Sequence, residues 1–332
     1  MRVLVTGACG FVGPYLLREL GGNSQFELFA SVINAASHSE VHPSGSQNRG
    51  VRLSEVTSNI IELDVTDAKL VGECFSELKP DVVCHLAGMA FAPDAAVNFG
   101  RAVSVNVGGT FNVCQALADH RPNAKLLYVS SGEVYGAISI DQLPIEESLP
   151  ALPTNPYSLT KLQSEEVVRF FQRRSKVRAV IARPFNHIGP GQSEKFVVSN
   201  FAAQLARINL GLQEPVIQVG NLKAKRDFTD VRDIVAGYSA LIAGNEHSWV
   251  GAEFNLCSGK AIAIEDILNK LIEISGVEVR VEKDPARMRP AEVPEVRGSY
   301  EKAKATFGWQ PKYSIEESLK DVYREWSEYF HS

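Results

Sequence analysis

A tyrosine and a lysine stand four positions apart, at Tyr157 and Lys161, near the start of a predicted helix. Side chains with this spacing share one face of a helix, so both can reach the same reacting group. A tyrosine hydroxyl has an ordinary pKa of about 10, and a nearby ammonium lowers that pKa because it favours the phenolate. The pair can therefore exchange a proton with an alcohol or a ketone while hydride moves.

The same spacing recurs at Tyr300 and Lys304, so spacing alone does not identify a site. Position favours the first pair, because Tyr157 follows a predicted strand that ends in two serines. Tyr300 instead belongs to a predicted solvent-facing helix near the C-terminus. The second serine, Ser131, can hydrogen-bond the reacting oxygen, or it can simply cap the strand end. Glu133 can act as an acid or base beside a carbonyl group, or be an ordinary polar loop residue.

Three glycines, Gly7, Gly10 and Gly13, follow the first predicted strand, Arg2–Thr6, and lead into the first predicted helix, Phe11–Leu20. Glycine at these positions permits a tight turn, a close approach of the backbone to a pyrophosphate, and close packing of helix on strand. The N-terminus of the helix offers free N–H groups and a partial positive charge to phosphate. This turn predicts a dinucleotide-binding site.

The ends of the next predicted strands extend that site. The second strand ends at Asn34, without the acid typical of NAD enzymes or the arginine typical of NADP enzymes, so NAD(H) and NADP(H) both remain open. Asp64 can bond the adenine amino group or cap the next helix. Gly88 lets a cofactor pass close to the backbone, and Lys161 can hold its ribose. The predicted cofactor-binding residues are Gly7, Gly10, Phe11, Val12, Asn34, Asp64, Val65, Leu86, Ala87, Gly88, Tyr157 and Lys161.

Strands and helices alternate through the first half of the chain, and the strands are nearly all apolar. Such strands are typical of a parallel sheet covered by helices on both faces, so we predict an α/β fold with a doubly wound Rossmann sheet and a smaller α/β C-terminal substrate lobe. The predicted NAD(P)-binding domain is 1–182 with a return segment at 228–256, and the lobe comprises 183–227 and 257–332. The predicted strands are Arg2–Thr6, Glu27–Ile33, Ile60–Leu63, Asp81–Leu86, Lys125–Ser130, Val177–Ala182, Glu253–Leu256 and Val277–Val281. The predicted helices are Phe11–Leu20, Ala68–Leu78, Val103–Asp119, Asn155–Arg174, Val197–Asn209, Asp230–Ile242, Ile264–Ser275 and Ile315–Tyr329. The segment 34–52 is predicted as a loop.

Composition narrows the class of protein. The net charge of −5 gives no electrostatic case for binding nucleic acid or an anionic membrane. The five cysteines are odd in number and form no C-x-x-C pair, which argues against a disulfide framework or a zinc site and fits a reducing compartment. No cluster of histidines has ligand spacing, so we predict no metal. We find no signal peptide and no apolar run of roughly 18 residues, and we predict a cytoplasmic protein without a membrane span.

Several segments carry a family resemblance. T-G-A-C-G-F-V-G, S-S-G-E-V-Y-G and N-P-Y-S-L-T-K resemble the extended short-chain dehydrogenases/reductases. In the second half, R-P-F-N-H-I-G-P-G-Q, G-N-L-K-A-K-R-D-F-T-D-V-R-D and R-M-R-P-A-E-V-P resemble the GDP-mannose 4,6-dehydratase and GDP-6-deoxy-4-keto-mannose reductase group. The residues of these segments, especially F-N-H-I-G-P-G-Q and R-D-F-T-D-V-R-D, are most similar to those of reductases that form GDP-D-rhamnose. The resemblance covers nearly the whole chain.

The resemblance implies a GDP-sugar as the substrate. Asn186 would touch the sugar or its phosphate, and Glu292 would contact the nucleoside. Arg226 and Arg289 would clamp the diphosphate, for which guanidinium is a natural bidentate partner, although each could instead form a surface ion pair. Val197 completes the predicted substrate-binding residues. Asn106 would hold the active-site helix or a water molecule.

The activity implied is NAD(P)H-dependent reduction of the C4 ketone of a GDP-4-keto-6-deoxy sugar. Tyr157 would protonate O4 and Ser131 would polarise it, while Lys161 lowers the pKa of Tyr157. GDP-mannose 4,6-dehydratase is the alternative, because Glu133 occurs in both groups. In the nucleotide-glucose 4,6-dehydratases an Asp stands where this chain has Gly132. An epimerase and a non-catalytic dinucleotide sensor are further alternatives.

The resemblance also implies a homodimer. The predicted helices Val103–Asp119 and Pro156–Arg174 resemble the pair that forms a four-helix interface in relatives. Apolar residues on the second helix, such as Phe170 and Phe171, fit such an interface, and they would equally fit a core.

Overall fold

The structure is a computed structural model that describes residues 1–33, 53–244, 250–287 and 293–331. A central sheet of seven parallel strands dominates it. The strands of the described ranges are β1 (Arg2–Thr6), β2 (Glu27–Val32), β3 (Ile60–Glu62), β4 (Val82–His85), β5 (Lys125–Val129), β6 (Arg178–Pro184), β7 (Asn186–Ile188), β8 (Val216–Val219), β9 (Lys225–Asp230), β10 (Glu253–Leu256), β11 (Ala261–Ala263) and β12 (Arg280–Lys283).

The helices lie on both faces of this sheet and in the lobe beyond it. They are α1 (Gly13–Gly21), α2 (Leu53–Val56), α3 (Ala68–Leu78), α4 (Ala92–Val97), α5 (Phe99–Ala102), α6 (Gly109–His120), α7 (Pro156–Ser175), α8 (Val197–Asn209), α9 (Val231–Ala243), α10 (Ile264–Ser275), α11 (Glu301–Phe307) and α12 (Ile315–His331). A π-helix, Val103–Gly108, joins α5 to α6, and a 3-10 helix spans Gly132–Tyr135. No helix in these described ranges is both long enough and apolar enough to cross a bilayer.

The strand order β10-β6-β5-β4-β1-β2-β3 confirms the predicted doubly wound parallel sheet. Crossover helices cover it on both sides. One core packs α1 and α9 against the sheet, and a second packs α3, α6 and α7 against the other face. Because β10 pairs with β6, the return of the second half to the sheet is present in the structure.

The remaining strands and helices form a smaller layer beside the carboxyl ends of the sheet. Strands β11, β9 and β7 form one small sheet, and β12 pairs with β8 in another. Helices α8, α10 and α12 enclose a separate apolar core there. This layer contains β7, β8, β9 and β11, which the sequence did not predict. The sequence also did not predict α2 and α4, or α11, which packs beside β10 of the main sheet.

Most predicted elements lie where expected. The strands Arg2–Thr6 and Glu253–Leu256 and the helices Ala68–Leu78, Val197–Asn209 and Ile264–Ser275 are confirmed residue by residue. The helical segment predicted from Val103 in fact begins earlier, at Phe99, and passes through the π-helix. The predicted loop at 34–52 lies outside the described residues.

The predicted environment of Tyr300 is wrong. The residue precedes α11, is half-buried against two apolar clusters, and stands edge-on to Trp309 with ring centroids 6.1 Å apart. Its contacts with Trp309 and with these two clusters therefore place it at the core, and it does not lie on a solvent-facing helix.

Candidate active site

Tyr157 lies in the first turn of α7, and local sequence explains why the helix begins there. The side chain of Asn155 accepts a hydrogen bond from the Ser158 N–H at 2.8 Å, and the Ser158 hydroxyl accepts one from the Asn155 N–H at 3.3 Å. This reciprocal cap, followed by Pro156 as the first helical residue, confirms the predicted helix start. Tyr157 is thereby fixed at the carboxyl edge of the sheet, where it is buried.

Ser131 lies opposite Tyr157 at the end of β5. It precedes the 3-10 helix Gly132–Tyr135, and its Oγ accepts a hydrogen bond from the Glu133 N–H at 3.1 Å. Burial and the Glu133 carboxylate raise the pKa of Tyr157 above its ordinary value, and hydrogen bonding to Ser131 opposes the rise. The pKa of Tyr157 is therefore raised, whereas the sequence predicted that Lys161 would lower it. The cost of removing the phenolate from water outweighs the hydrogen bond to Ser131. The protein's own groups therefore keep the Tyr157 hydroxyl protonated.

Lys161 lies one turn further along α7 and is also buried. Its Nζ donates a 2.8 Å hydrogen bond to the Val129 carbonyl oxygen and stands 5.3 Å from the centroid of the Tyr128 ring. Burial lowers the pKa of Lys161 to about 8, and the Glu165 carboxylate opposes that lowering. The ammonium thus persists at neutral pH in a position fixed against the sheet.

Glu133 differs from Tyr157 and Lys161 in being exposed. Its Oε2 accepts a 2.9 Å hydrogen bond from Nδ2 of Asn155, the residue that also caps α7. The structure therefore brings the four predicted catalytic residues to one strand end, with Glu133 on the rim and Tyr157 and Lys161 inside.

The glycine-rich turn fits closely against the end of β4. Gly7 has a φ of +67°, and a Cβ at this position would stand 2.7 Å from both the N and Cα atoms of Ala87. A Cβ on Gly13 would collide with the Ala8 carbonyl oxygen, as expected where a helix packs on a strand. Gly88 has somewhat more room, since its Cβ would stand 3.0 Å from Asn106 Oδ1 and 3.5 Å from Lys161 Nζ. This bare backbone cradle fits a dinucleotide, with Lys161 at its inner end.

The other predicted cofactor residues lie around this cradle. Val12 directly precedes α1, and Phe11 is half-buried and stacks on His187, with ring centroids 5.9 Å apart and planes 5° apart. Leu86 is half-buried at the end of β4. Val65 is buried in a core cluster, so only its backbone is available to a ligand. Asn34 lies outside the described residues.

Asp64 does not cap the helix that follows it. Its Oδ1 accepts hydrogen bonds from the N–H and hydroxyl of Thr66, at 2.9 and 2.8 Å. The cap of α3 is Asp67, whose Oδ1 accepts from the Lys69 and Leu70 N–H groups. The alternative structural role proposed for Asp64 is therefore wrong, and its role at the adenine stays a prediction.

A polar network that the sequence did not single out lies beneath the cradle. His85, buried at the end of β4, bonds Thr6 Oγ1 through Nδ1 at 2.7 Å and Thr110 Oγ1 through Nε2 at 3.2 Å. Because Thr110 donates its own proton to the Asn106 carbonyl oxygen, His85 donates from Nε2 and accepts at Nδ1. Burial and the charge of Lys161 lower the pKa of His85 to about 3, so the imidazole stays neutral. The available signal was a histidine near the end of an apolar strand, two residues before Ala87-Gly88.

Asn106 connects this network to α7. Its Oδ1 accepts from the Met89 N–H at 2.8 Å, and its Nδ2 donates to Thr160 Oγ1 at 2.8 Å. Its carbonyl oxygen accepts from the hydroxyl of Ser164, also on α7, at 2.9 Å. Asn106 thus holds the helix of Tyr157 and Lys161, one of the two roles implied for it.

The predicted substrate residues lie in the smaller layer. Asn186 begins β7 and is half-buried, and Val197 begins α8. Arg226 lies in β9, where its Nη1 donates to the carbonyl oxygens of Lys225 and Val293 at 2.8 and 2.9 Å. Arg289 and Glu292 lie outside the described residues, so the diphosphate clamp of Arg226 and Arg289 stays a prediction.

The strand order, the glycine cradle after β1, and the Ser131, Tyr157 and Lys161 side chains at the edge of the sheet define an extended short-chain dehydrogenase/reductase. Among the described residues, no group of three or more His, Cys, Asp or Glu side chains is arranged to hold a metal ion. The chain belongs to the GDP-mannose 4,6-dehydratase family, whose family model matches residues 4–322. The family resemblance read from the sequence is therefore confirmed.

Individual relatives place the chain within this family. It is 36% identical to the GDP-6-deoxy-D-mannose reductase of Pseudomonas aeruginosa, over 98% of this chain and 97% of that protein. The structure of RMD from Pseudomonas aeruginosa complexed with NADPH superposes with a TM-score of 0.83 at 34% identity, covering 99% of both chains. The UDP-glucose 4-epimerase of Bacillus subtilis is 27% identical, over 98% of this chain and 96% of its own length.

Proposed function

We propose that the protein reduces the C4 ketone of a GDP-linked 4-keto-6-deoxy sugar, with NADPH or NADH as the cofactor and GDP-D-rhamnose or a similar GDP-deoxysugar as the product. The observation that carries this proposal is 36% identity, over nearly the full length, with a GDP-6-deoxy-D-mannose reductase. It is supported by the buried Tyr157 beside Ser131 and by Lys161, whose Nζ is held by the Val129 carbonyl oxygen.

The chemistry divides between cofactor and protein. When bound, the reduced cofactor supplies the hydride that adds to C4 of the sugar. Tyr157 donates its hydroxyl proton to O4, and its raised pKa suits this role because the proton is present before the reaction. Ser131 Oγ hydrogen-bonds the same oxygen and polarises the ketone. The Lys161 ammonium stabilises the phenolate until solvent returns the proton.

We assign the ends of the substrate to the two parts of the chain. The cofactor binds the cradle of Gly7, Gly10 and Gly88, on the part comprising 1–182 and 228–256. The GDP moiety binds the lobe of 183–227 and 257–332, where Asn186, Val197, Arg226, Arg289 and Glu292 are its proposed contacts. The pairing of β10 with β6 supports this division, because it returns the second half of the chain to the sheet.

A 4,6-dehydratase is the second candidate, and one observation favours it. The exposed Glu133 carboxylate, tethered by Asn155, stands beside Tyr157 and could remove a proton next to a C4 ketone. Such an enzyme converts GDP-mannose to a 4-keto-6-deoxy product and leaves its cofactor unchanged overall.

Two incubations separate these candidates. GDP-4-keto-6-deoxymannose with NADPH or NADH should consume one cofactor per sugar, and NMR of the product should show a new C4 hydroxyl group. GDP-mannose with NADP⁺ or NAD⁺ should remain unchanged. A keto product from GDP-mannose would favour the dehydratase, and no oxidation of either reduced cofactor would contradict the reductase.

We also propose that the protein is a cytoplasmic homodimer. Phe111 of α6 and Phe170 of α7 are 42% and 40% exposed, and both pack edge-on against the buried Phe171 ring, at 5.2 and 5.3 Å between centroids. They therefore lie side by side on the surface and form a small apolar face on α6 and α7. An exposed apolar face of this kind is typical of an interface. The five free cysteines are compatible with a reducing compartment.

A further inference from the structure

A buried ion pair lies one helical turn beyond Lys161. The side chain of Glu165 is 0% exposed, and that of Arg183, on β6, is 4% exposed. Arg183 donates Nε to Oε1 at 2.9 Å and Nη2 to Oε2 at 2.7 Å, in a bidentate arrangement. Burial disfavours the carboxylate, yet the bonds and charge of Arg183 hold the pKa of Glu165 below its ordinary value.

Two further donors complete the contacts of this carboxylate. Ser130 Oγ donates to Oε1 at 2.6 Å, and Arg169 Nη2 donates to Oε2 at 2.9 Å. A buried ion pair often contributes little net stability, because the cost of removing both charges from water can exceed their attraction. This arrangement therefore calls for a role other than stability.

The pair contacts each element that carries a proposed catalytic residue. Ser130 immediately precedes Ser131, so its bond to Glu165 fixes the strand end. Arg183 Nη1 donates to the Tyr135 hydroxyl at 2.9 Å, and Tyr135 closes the 3-10 helix that contains Glu133. Glu165 itself follows Lys161 by four residues and shares its face of α7.

We propose that Glu165, held by Arg183, is a positioning residue for the reaction, which fixes the strand end of Ser131 and supplies the negative charge that keeps the buried Lys161 side chain an ammonium. The proposal rests on the proposed function, because it gives Lys161 the role of a cation beside the cofactor and Tyr157.

The groups that face Lys161 from the other elements do not supply this negative charge. His85, on β4, is neutral. Tyr128, on β5, is also uncharged, because burial raises its pKa well above the ordinary value. The π-helix contributes the neutral amide of Asn106. On α7, Tyr157 is protonated, and Glu165 is the carboxylate that raises the pKa of Lys161.

The pH dependence of NADPH binding tests this proposal without any sugar substrate. Fluorescence titrations between about pH 6 and pH 10 should show wild-type affinity weakening near the pKa of Lys161. In Glu165→Gln, which keeps the shape of the side chain, the midpoint should fall by about one pH unit or more, because an opposite charge has been removed from a buried ammonium. Glu165→Asp keeps the charge and should leave the midpoint near the wild-type value.

Three further variants serve as controls for the effect of Glu165→Gln on the midpoint. The double variant Glu165→Gln with Arg183→Met leaves no unpaired buried guanidinium, so it serves if the single variant folds poorly. Its midpoint should also lie below the wild-type value, but by less than in Glu165→Gln, because a cation is removed together with the carboxylate. Glu166→Gln removes the neighbouring carboxylate, which is 58% exposed and pairs with Arg169, and should leave the midpoint at the wild-type value. Ser130→Ala should lower kcat at every pH without moving the midpoint.

The outcomes are distinct. A wild-type midpoint in both Glu165→Gln and the double variant would overturn the proposal. A merely structural role would weaken binding equally at every pH in the Gln and Asp variants, and this result would also overturn it. If the wild-type protein binds NADPH but reduces no keto sugar, the proposed function fails while the binding midpoints still decide the role of Glu165.

Discussion

The side chain of Asn155 joins Glu133 to the helix of Tyr157. Its Nδ2 donates to Glu133 Oε2 at 2.9 Å, while its Oδ1 accepts from the Ser158 N–H in the first turn of α7. One amide therefore caps the helix and fixes the position of the exposed carboxylate. The placement of Glu133 follows from helix capping, and capping alone does not show whether the carboxylate takes part in the chemistry.

Glu133→Gln separates the two candidate functions. Glutamine keeps the shape and an acceptor for Asn155 but cannot take up a proton as the carboxylate can. Because ketone reduction needs no base at the neighbouring carbon, kcat for keto-sugar reduction should stay within about tenfold of wild type. A dehydratase should lose roughly 10²–10⁴-fold, the usual contribution of a general base. A loss of that size in reduction assays would contradict the role given to Tyr157 as the sole proton donor.

The pH profile should report the ammonium of Lys161. Its pKa is lowered to about 8, so the ammonium is present below that pH and is lost as the pH rises through it. Accordingly, kcat/KM should be sustained near neutrality and fall above about pH 8. His85, with a pKa of about 3, should add no step in this range. A flat profile through pH 9 would argue against a charged Lys161, and Lys161→Met should lose turnover at every pH.

Gly132→Ala should destabilise the protein. A Cβ at Gly132 would stand 2.8 Å from the Phe185 ring, and this ring also lies close to Gly298, where a Cβ would again stand 2.8 Å from it. Overpacking of this kind costs about 1–3 kcal/mol, so thermal unfolding should shift down by several degrees. The control is Gly100→Ala, where no neighbouring atom lies within 4 Å. Equal melting temperatures for Gly132→Ala and wild type would show that Phe185 moves aside without cost.

The apolar face on α6 and α7 should mediate dimerisation. The double variant Phe111→Asp with Phe170→Asp places charges on it and should shift the mass measured by light scattering from dimer to monomer. Leu212→Asp is the matched control, because Leu212 is 62% exposed and lies outside these helices. The wild-type protein should be a dimer, and a monomeric wild type or an undisturbed dimer in the double variant would refute the assignment.

The sequence predicted the site where its signals were local. Each of these signals is contained in a short segment of the chain: the glycine turn, the Asn155 cap, and the spacing of Tyr157 and Lys161. Apolar strands likewise reveal a sheet covered on both faces.

What the sequence did not predict depends on distant partners. Glu165 lies in the polar stretch Q-S-E-E-V-V-R, which is typical of a surface segment. It is buried in the fold because Arg183, from the distant strand β6, pairs with it. The polar strand β9 is defined by its pairing with β7 and β11, so no alternating pattern reveals it. The predicted environment of Tyr300 is wrong for the same reason. Tyr300 packs against Trp309 and against apolar residues that lie far from it in the sequence.

Hydride should pass to C4 of the sugar while Tyr157 supplies the proton. The most direct test of this reduction is to incubate GDP-4-keto-6-deoxymannose with NADPH or NADH that carries deuterium at both C4 positions of the dihydronicotinamide, and to locate the label by NMR. We predict one deuterium at C4 of the hexose for each cofactor oxidised, and a Tyr157→Phe variant that binds cofactor normally but turns over roughly 10²–10⁴-fold more slowly. Failure of both cofactors to be oxidised, or deuterium absent from C4 of the product, would contradict it.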